Sequence, residues 1–148
     1  VMDKVYLGDS QVQINGKRFY LTHGDGLLSW DYGYRLLKKV IRSKLFIWLF
    51  SILHPTIAFK IASFISKSAK QHDHNADFNK DVRIELKNIA KTHFDNGFDY
   101  MISGHYHLGE MFSMKEGKLI VLGDWFFRPS YAIFDGDDLE LILWEEDV

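Results

Sequence analysis

The chain has no cysteine. That excludes disulfides, thiolate zinc sites and cysteine nucleophiles, and it suits a reducing compartment. Val1-Met2-Asp3-Lys4 shows no basic start followed by an apolar run, so no signal peptide is expected. Long hydrophobic runs are also missing. The longest uncharged stretch, Leu45 to Phe59, falls short of the roughly 20 residues of a membrane span and is interrupted by Pro55. Two short amphipathic helices, buried or lying on a bilayer surface, fit that stretch better.

What is present is a 148-residue chain that is 47% hydrophobic and 16% aromatic, which excludes a disordered or low-complexity polymer. The length predicts one domain. The net charge of −2 hides an asymmetry. Residues 1–70 hold eleven Lys/Arg and four acids, whereas the other 78 hold seven and sixteen. A basic half that is also the most apolar suits an anionic, partly apolar partner, although the halves could equally neutralise each other internally.

Strand-like runs at 5–7, 11–14 and 18–22 surround Asn15-Gly16, the strongest short hairpin signal. From Asp31 to Ser43 the period becomes helical. Tyr34, Leu37, Val40 and Ile41 form one face and Arg35, Lys38, Lys39 and Arg42 the other. Lys44 to Ile65 reads as two helices divided at His54-Pro55, with a polar loop from Ser66 to Asn75. Asp77 or Asn79 is a candidate cap for a further helix with Val82, Leu86, Ile89 and Ala90 inward, ending at Asn96-Gly97. Strands follow at 99–103, 110–114, 118–122, 130–135 and 139–144, with turns at Glu116-Gly117 and Asp135-Gly136-Asp137. Strands on both sides of a helical block predict an α/β fold with one sheet and a lid.

Two segments carry the chemistry: Thr22-His23-Gly24-Asp25-Gly26 and Ser103-Gly104-His105-Tyr106-His107. Each sets histidine beside glycine just after a β-prone run, where imidazole can hold a metal and glycine permits a tight turn. A His-x-His pair alone is a weak signal, since surface or structural histidines explain most of them. A third histidine from another strand end strengthens it. His72 and His74 sit in polar text and read as solvated, whereas His54 and His93 read as packing or surface residues. Asp25 either orients a neighbouring ligand or caps the helix that follows.

The order strand, Thr-His-Gly-Asp, helical insertion, strand, Gly-His-x-His resembles the second half of a calcineurin-like metallophosphoesterase. Within that superfamily, His23-Gly24-Asp25-Gly26-Leu27, Asp31-Tyr32-Gly33-Tyr34 and Leu122-Gly123-Asp124-Trp125 resemble the UDP-2,3-diacylglucosamine hydrolases of lipid A synthesis. The resemblance implies part of a metallophosphoesterase β-sandwich flanked by helices, with a helical lid at about residues 31–96. It implies two divalent ions, manganese by expectation, with His23 and His105 on one, His107 on the other, and His105 in the catalytic role. It further implies that Asp31, Tyr34, Ser66 and Lys70 contact a lipid-linked nucleotide sugar and that the apolar insertion shelters its acyl chains. The expected location is cytoplasmic, peripheral to the inner membrane, with no nucleic-acid partner. The Asp-x-His, Gly-Asp-x-x-Asp and Gly-Asn-His-Asp segments of that superfamily do not occur in these residues. The chain is therefore expected to be the C-terminal half of such an enzyme, poorly active alone, which self-associates or pairs with the missing half. A generic phosphoesterase or a non-catalytic membrane-surface module are the alternative readings.

Overall fold

The computed structural model describes residues 8–70 and 76–144, with side chains for all of these except 64–70 and 76–78. The expected strand at 5–7 and the histidines His72 and His74 lie outside the described residues. The chain forms two compact units, one of residues 1–25 with 87–148 and the other of residues 26–86.

In the first unit, strands β1 (Ser10–Ile14) and β2 (Lys17–Thr22) form the predicted hairpin. Asn15 and Gly16 take φ of 48° and 80°, the left-handed pair that a two-residue hairpin turn requires. Strands β3 (Tyr100–Ser103), β4 (Glu110–Ser113) and β5 (Lys118–Val121) complete a five-stranded sheet in the order β1-β2-β3-β5-β4. Within it β2, β3 and β5 are adjacent and parallel, and β1 and β4 run antiparallel at the two edges. Among the described residues, strands β6 (Ser130–Phe134) and β7 (Leu139–Leu143) pair only with each other. The reading of one sheet from the strand pattern is thus corrected to two, in keeping with the β-sandwich flanked by helices that the resemblance implies. Side chains alternate along a strand, so the two-stranded ribbon gains more by covering an apolar face than by extending an edge.

That alternation explains the layering. Phe19, Tyr100 and Ile120 share one face of the large sheet and pack with Leu139 and Phe134 of the ribbon. Phe19 meets Phe134 edge-on at 5.0 Å and Tyr100 at 4.9 Å. Met101, Leu119 and Val121 point to the opposite face and are fully buried. Helix α4 (Ala76–Asp95) supplies the cover there through its last turns: His93 stacks on Tyr20 at 3.7 Å, and Phe94 sits beside Gly117. The helix stops where Gly97, at φ 86°, accepts the left-handed conformation. Gly97 N–H then donates to Phe94 O and Phe98 N–H to His93 O, satisfying the carbonyls that the last turn would leave unpaired. The start of α4 corrects the sequence expectation. It begins at Ala76, so Asp77 and Asn79 lie inside the helix and do not cap it.

The second unit is helical. It holds α1 (Tyr32–Ile41), α2 (Lys44–Ser51), α3 (Pro55–Lys70) and the first turns of α4. Ser43 caps α2, its hydroxyl accepting Phe46 N–H. His54 serves α3 in the same way, with Nδ1 accepting Thr56 N–H, and Pro55 occupies the first helical position where its missing N–H costs nothing. The expected loop from Ser66 is corrected: α3 continues to Lys70, because Lys, Ser and Ala lower the hydropathy without breaking a helix. No residue of α1 or α2 is buried. Among the described residues no helix is long and apolar enough to cross a membrane.

Leu119 has no solvent exposure. Leu119→Ala is expected to destabilise the sheet unit by about 2–5 kcal/mol, read as a lower denaturation midpoint in urea. Burial holds the His93 imidazole below its usual range, against the pull of the Asp9 charge. A lowered histidine contributes stability above its unfolded value near 6.5 that is lost as pH falls through the folded value. NMR titration should find His93 protonating below the free imidazole value near 6.5, with the denaturation midpoint declining as pH falls over that interval.

Candidate metal-binding site

Because β2, β3 and β5 are parallel neighbours, the loops leaving their carboxyl ends emerge side by side. In open α/β sheets that edge is where ligands bind. The first loop carries His23-Gly24-Asp25, the second Gly104-His105-Tyr106-His107, and the third Gly123-Asp124. Thr22, Ser103 and Val121 form the last row of paired residues beneath them, from Thr22↔Ser103 and Ser103↔Val121.

His23 and His105 are brought together, with ring centroids 5.2 Å apart and planes at 69°. Glycine makes this approach possible. Gly24 has φ 97°, and a Cβ there would stand 2.5 Å from Ser103 Oγ and 3.5 Å from His105 Cβ. A Cβ on Gly104 would meet His23 O at 3.4 Å and Nδ1 at 3.7 Å. Tyr106 Oη donates to Gly24 O at 3.0 Å and ties the two loops directly.

The second loop is strained. His105 and His107 have φ of 59° and 51°, left-handed values that cost a non-glycine residue about 1–2 kcal/mol. Tyr106 N–H donates to Gly104 O at 2.6 Å, closing a three-residue turn around His105. This is the tight turn that redirects the alternating side chains of His-x-His. Backbone strain at a loop of this kind commonly marks a functional site.

The third loop was not picked out as a source of site residues from sequence. Asp124 Oδ1 accepts Phe126 N–H at 2.8 Å and Phe127 N–H at 2.7 Å. Burial would raise its carboxyl, but those two N–H groups and the nearby His107 outweigh it and hold Asp124 below the usual carboxylate range. A Cβ on Gly123 would collide with Arg128 O at 1.9 Å, so the turn into Asp124 admits only glycine. The signal available in the sequence was a third strand ending in Gly-Asp. Ser103 was missed as well. Its hydroxyl is fully buried beneath the histidines and has no hydrogen-bond partner among the described residues.

Asp25 lies in a turn, and α1 starts at Tyr32 with Asp31 as its N-cap, so Asp25 caps no helix. Asp31 and Tyr34 are one helical turn apart and share a face of α1. Arg35, between Tyr34 and Leu36, donates from Nη2 to Leu28 O and Ser29 O and fastens the loop before α1. Ser66 and Lys70 lie on α3, among the residues whose side chains are not described. His93, read as a packing or surface residue, packs against Tyr20.

Imidazole pairs suit several divalent transition metals, and the glycine-lined contact of the two loops holds such a pair ready. Among the described residues, no group of three or more His, Asp or Glu side chains is arranged to hold a metal ion. The donor set fits a metal centre in part: imidazoles converge, and a shared carboxylate is absent among the described residues.

Gly24→Ala is expected to lower stability by about 1–3 kcal/mol, because it meets both a forbidden φ and a 2.5 Å contact. Tyr106→Phe should cost less, about 0.5–1.5 kcal/mol for one hydrogen bond. Thermal denaturation of both variants checks the order.

No protein-family model matches the chain. Curated proteins do match it along nearly its whole length. A UDP-2,3-diacylglucosamine hydrolase of Porphyromonas gingivalis is 30% identical over 96% of the chain and 60% of its own length. One from Shewanella sp. is 32% identical over 88% of the chain and 54% of its own length. Another from Vibrio atlanticus is 28% identical over 89% and 55%. The chain spans little more than half the length of the curated relatives it matches. Together with the histidine loops and the mixed α/β fold, these matches make the chain similar, over nearly its whole length, to part of the UDP-2,3-diacylglucosamine hydrolases.

Proposed function

We propose that this chain forms part of a metal-dependent phosphoesterase that hydrolyses the diphosphate bond of UDP-2,3-diacylglucosamine in lipid A synthesis. The observation that carries the reading is the approach of His23 to His105 at 5.2 Å, from adjacent parallel strand ends. The names of the relatives supply the substrate.

His23 and His105 would hold one divalent ion and His107 a second, with manganese the proposed metal. When bound, such ions offset negative charge on phosphoryl oxygens and activate water. The residues' own part is orientation. Gly24 and Gly104 keep the loops in contact, the turn at His105 aims its ring, and Tyr106 locks that turn to Gly24. Water adds to phosphorus as the bond to the bridging oxygen breaks, so a nucleoside monophosphate and a sugar phosphate leave. Asp31, Tyr34, Ser66 and Lys70 are proposed to contact the nucleotide-sugar diphosphate.

The helical unit supports the lipid half of the reading. It contains an apolar cleft of about 580 Å³ lined by Ile41, Phe46, Ile47, Phe50 and Ile61, a volume suited to a lipid chain. Its surface also presents Leu36, Leu45, Trp48 and Phe59 beside Lys39, Arg42 and Lys44. Apolar and cationic groups together favour an anionic bilayer, and the cytoplasmic face of the inner membrane is the location we propose. The same surface favours, as a second reading, a membrane-docking role that does not depend on catalysis. We further propose that the chain alone turns over little substrate and that self-association or a companion segment completes the site.

Turnover of UDP-2,3-diacylglucosamine with manganese, by the chain alone and by the chain extended with the sequence encoded upstream, tests this. The extended protein should be active, and His105→Ala should lower its kcat at least 100-fold, the scale of losing a charge-stabilising group. Equal turnover of a nitrophenyl phosphate ester would defeat the lipid assignment.

A further inference from the structure

The β1–β2 hairpin is closed at one end by Asn15-Gly16 and is open at the other. Its register, with Ser10 opposite Leu21, puts Asp9 and Thr22 opposite each other as the next pair beyond the strand. Tyr20 lies two residues before Thr22 and shares its face of the sheet. The Asp9 carboxylate joins them: Tyr20 Oη donates to Oδ2 at 2.7 Å, and Thr22 Oγ1 donates to Oδ1 at 2.6 Å.

The direction of these bonds matters. An ionised carboxylate only accepts, and a hydroxyl has one proton. With the Thr22 proton committed to Asp9, a lone pair of Oγ1 is left facing the loop. Gly24 N–H donates to it at 3.1 Å. The carbonyl of the same glycine accepts Tyr106 Oη at 3.0 Å. Gly24 is therefore held at its N–H from the hairpin and at its C=O from the His105 loop, and His23 sits between Thr22 and Gly24. The second arm of Asp9 is anchored too, because the Tyr20 ring lies against His93 of α4 at 3.7 Å.

We propose that Asp9 is a positioning residue for the site: its carboxylate fixes the Thr22 hydroxyl, which holds Gly24 N–H and so aims His23 at His105. The contribution to metal affinity rests on the reading of His23 and His105 as metal ligands. The contribution to loop geometry does not. Groups behind a metal ligand orient it, and their removal commonly costs 10- to 100-fold in affinity. Here the chain runs through the backbone next to the ligand, so a change at an exposed carboxylate is felt two hydrogen bonds away.

Amide hydrogen exchange on the metal-free 148-residue chain, with ¹⁵N NMR detection, separates this from simple closure of a hairpin. Asp9→Ala and Thr22→Val should each speed Gly24 exchange about tenfold or more, with the core amides of Leu119 and Ile120 unchanged. Thr22→Ser keeps the hydroxyl and should retain the wild-type rate, and the double variant should be no faster than either single one. Unchanged Gly24 exchange in Asp9→Ala overturns the proposal, as does an equal acceleration at Leu119 and Ile120. Calorimetric titration of the chain extended with the sequence encoded upstream, using manganese chloride, provides the second readout. Asp9→Ala should bind about tenfold more weakly than wild type, and His23→Ala weaker still. Wild-type affinity in Asp9→Ala, with binding lost in His23→Ala, overturns the effect on the metal. Absence of manganese binding by the wild type defeats the metal reading instead, while Gly24 exchange still decides the positioning.

Discussion

Four residues of β2 lie beside four of β3 in parallel register, Phe19 against Tyr100 and Thr22 against Ser103, although the partners are 81 positions apart. Closing a loop of that length costs roughly 4 kcal/mol in chain entropy from its length dependence alone. The pairing is stabilised on both faces. Phe19 and Tyr100 bury one side against the β6–β7 ribbon, and Met101 is wholly buried on the other. Each such side chain contributes about 1.5–3 kcal/mol on burial, so a few of them offset the closure. A parallel pair also dictates where the next residues go. Both strands end at the same edge, and the histidine that follows each one arrives there with it.

The approach of the two loops is closer than ordinary side chains permit. Gly24 and Gly104 are the points of contact, and the strain falls on His105 and His107, which hold positive φ without being glycine. Asparagine or glycine would occupy those positions at less cost. Histidine in a left-handed conformation at both ends of a three-residue stretch means that the turn is held by its surroundings. Those surroundings are visible: the Tyr106 hydroxyl on Gly24 O, the Tyr106 N–H on Gly104 O, and the Leu122 N–H on Ser103 O. The rigid sheet beneath them provides the leverage.

Much of the architecture could be read from local chemistry. Asn15-Gly16 announced the hairpin, Pro55 the boundary between α2 and α3, and Asn96-Gly97 the end of α4, because each requires a backbone conformation that few residues supply. The five later strands were equally plain from alternation and from glycine at their turns. What failed depended on distant partners. Nothing local says that β6 and β7 leave the sheet, since a half-buried strand has the same alternation whether it extends a sheet or covers one. The α3 overrun to Lys70 has a similar cause, as falling hydropathy marks the end of burial and not the end of a helix. At the site, His23 and His105 were legible from glycine beside histidine after a strand. Asp9 was not, for its significance lies in a register shared with Thr22. Ser103 escaped because a buried hydroxyl carries no spacing signature, whereas for Asp124 the Gly-Asp after a third strand was a signal that could have been read.

Charge decides how far this half-legible site can act alone. Neutral imidazoles orient a divalent cation but do nothing to offset its charge, and two cations about 4 Å apart repel strongly unless an anion lies between them. The acids on the three loops are Asp25, Asp31 and Asp124. Asp124 already gives Oδ1 to two backbone N–H groups of its own turn, and that commitment is what keeps the Gly123–Arg128 loop folded. Recruiting it fully to a metal would release both N–H groups and the turn with them. Among the described residues no group of three or more His, Asp or Glu side chains is arranged around an ion, so a pair of ions would need negative charge either from a carboxylate elsewhere or from the phosphates of the substrate. Only the first can hold both ions before substrate arrives. This is the physical ground for proposing that the sheet edge described here becomes a working centre only when a further acidic segment joins it.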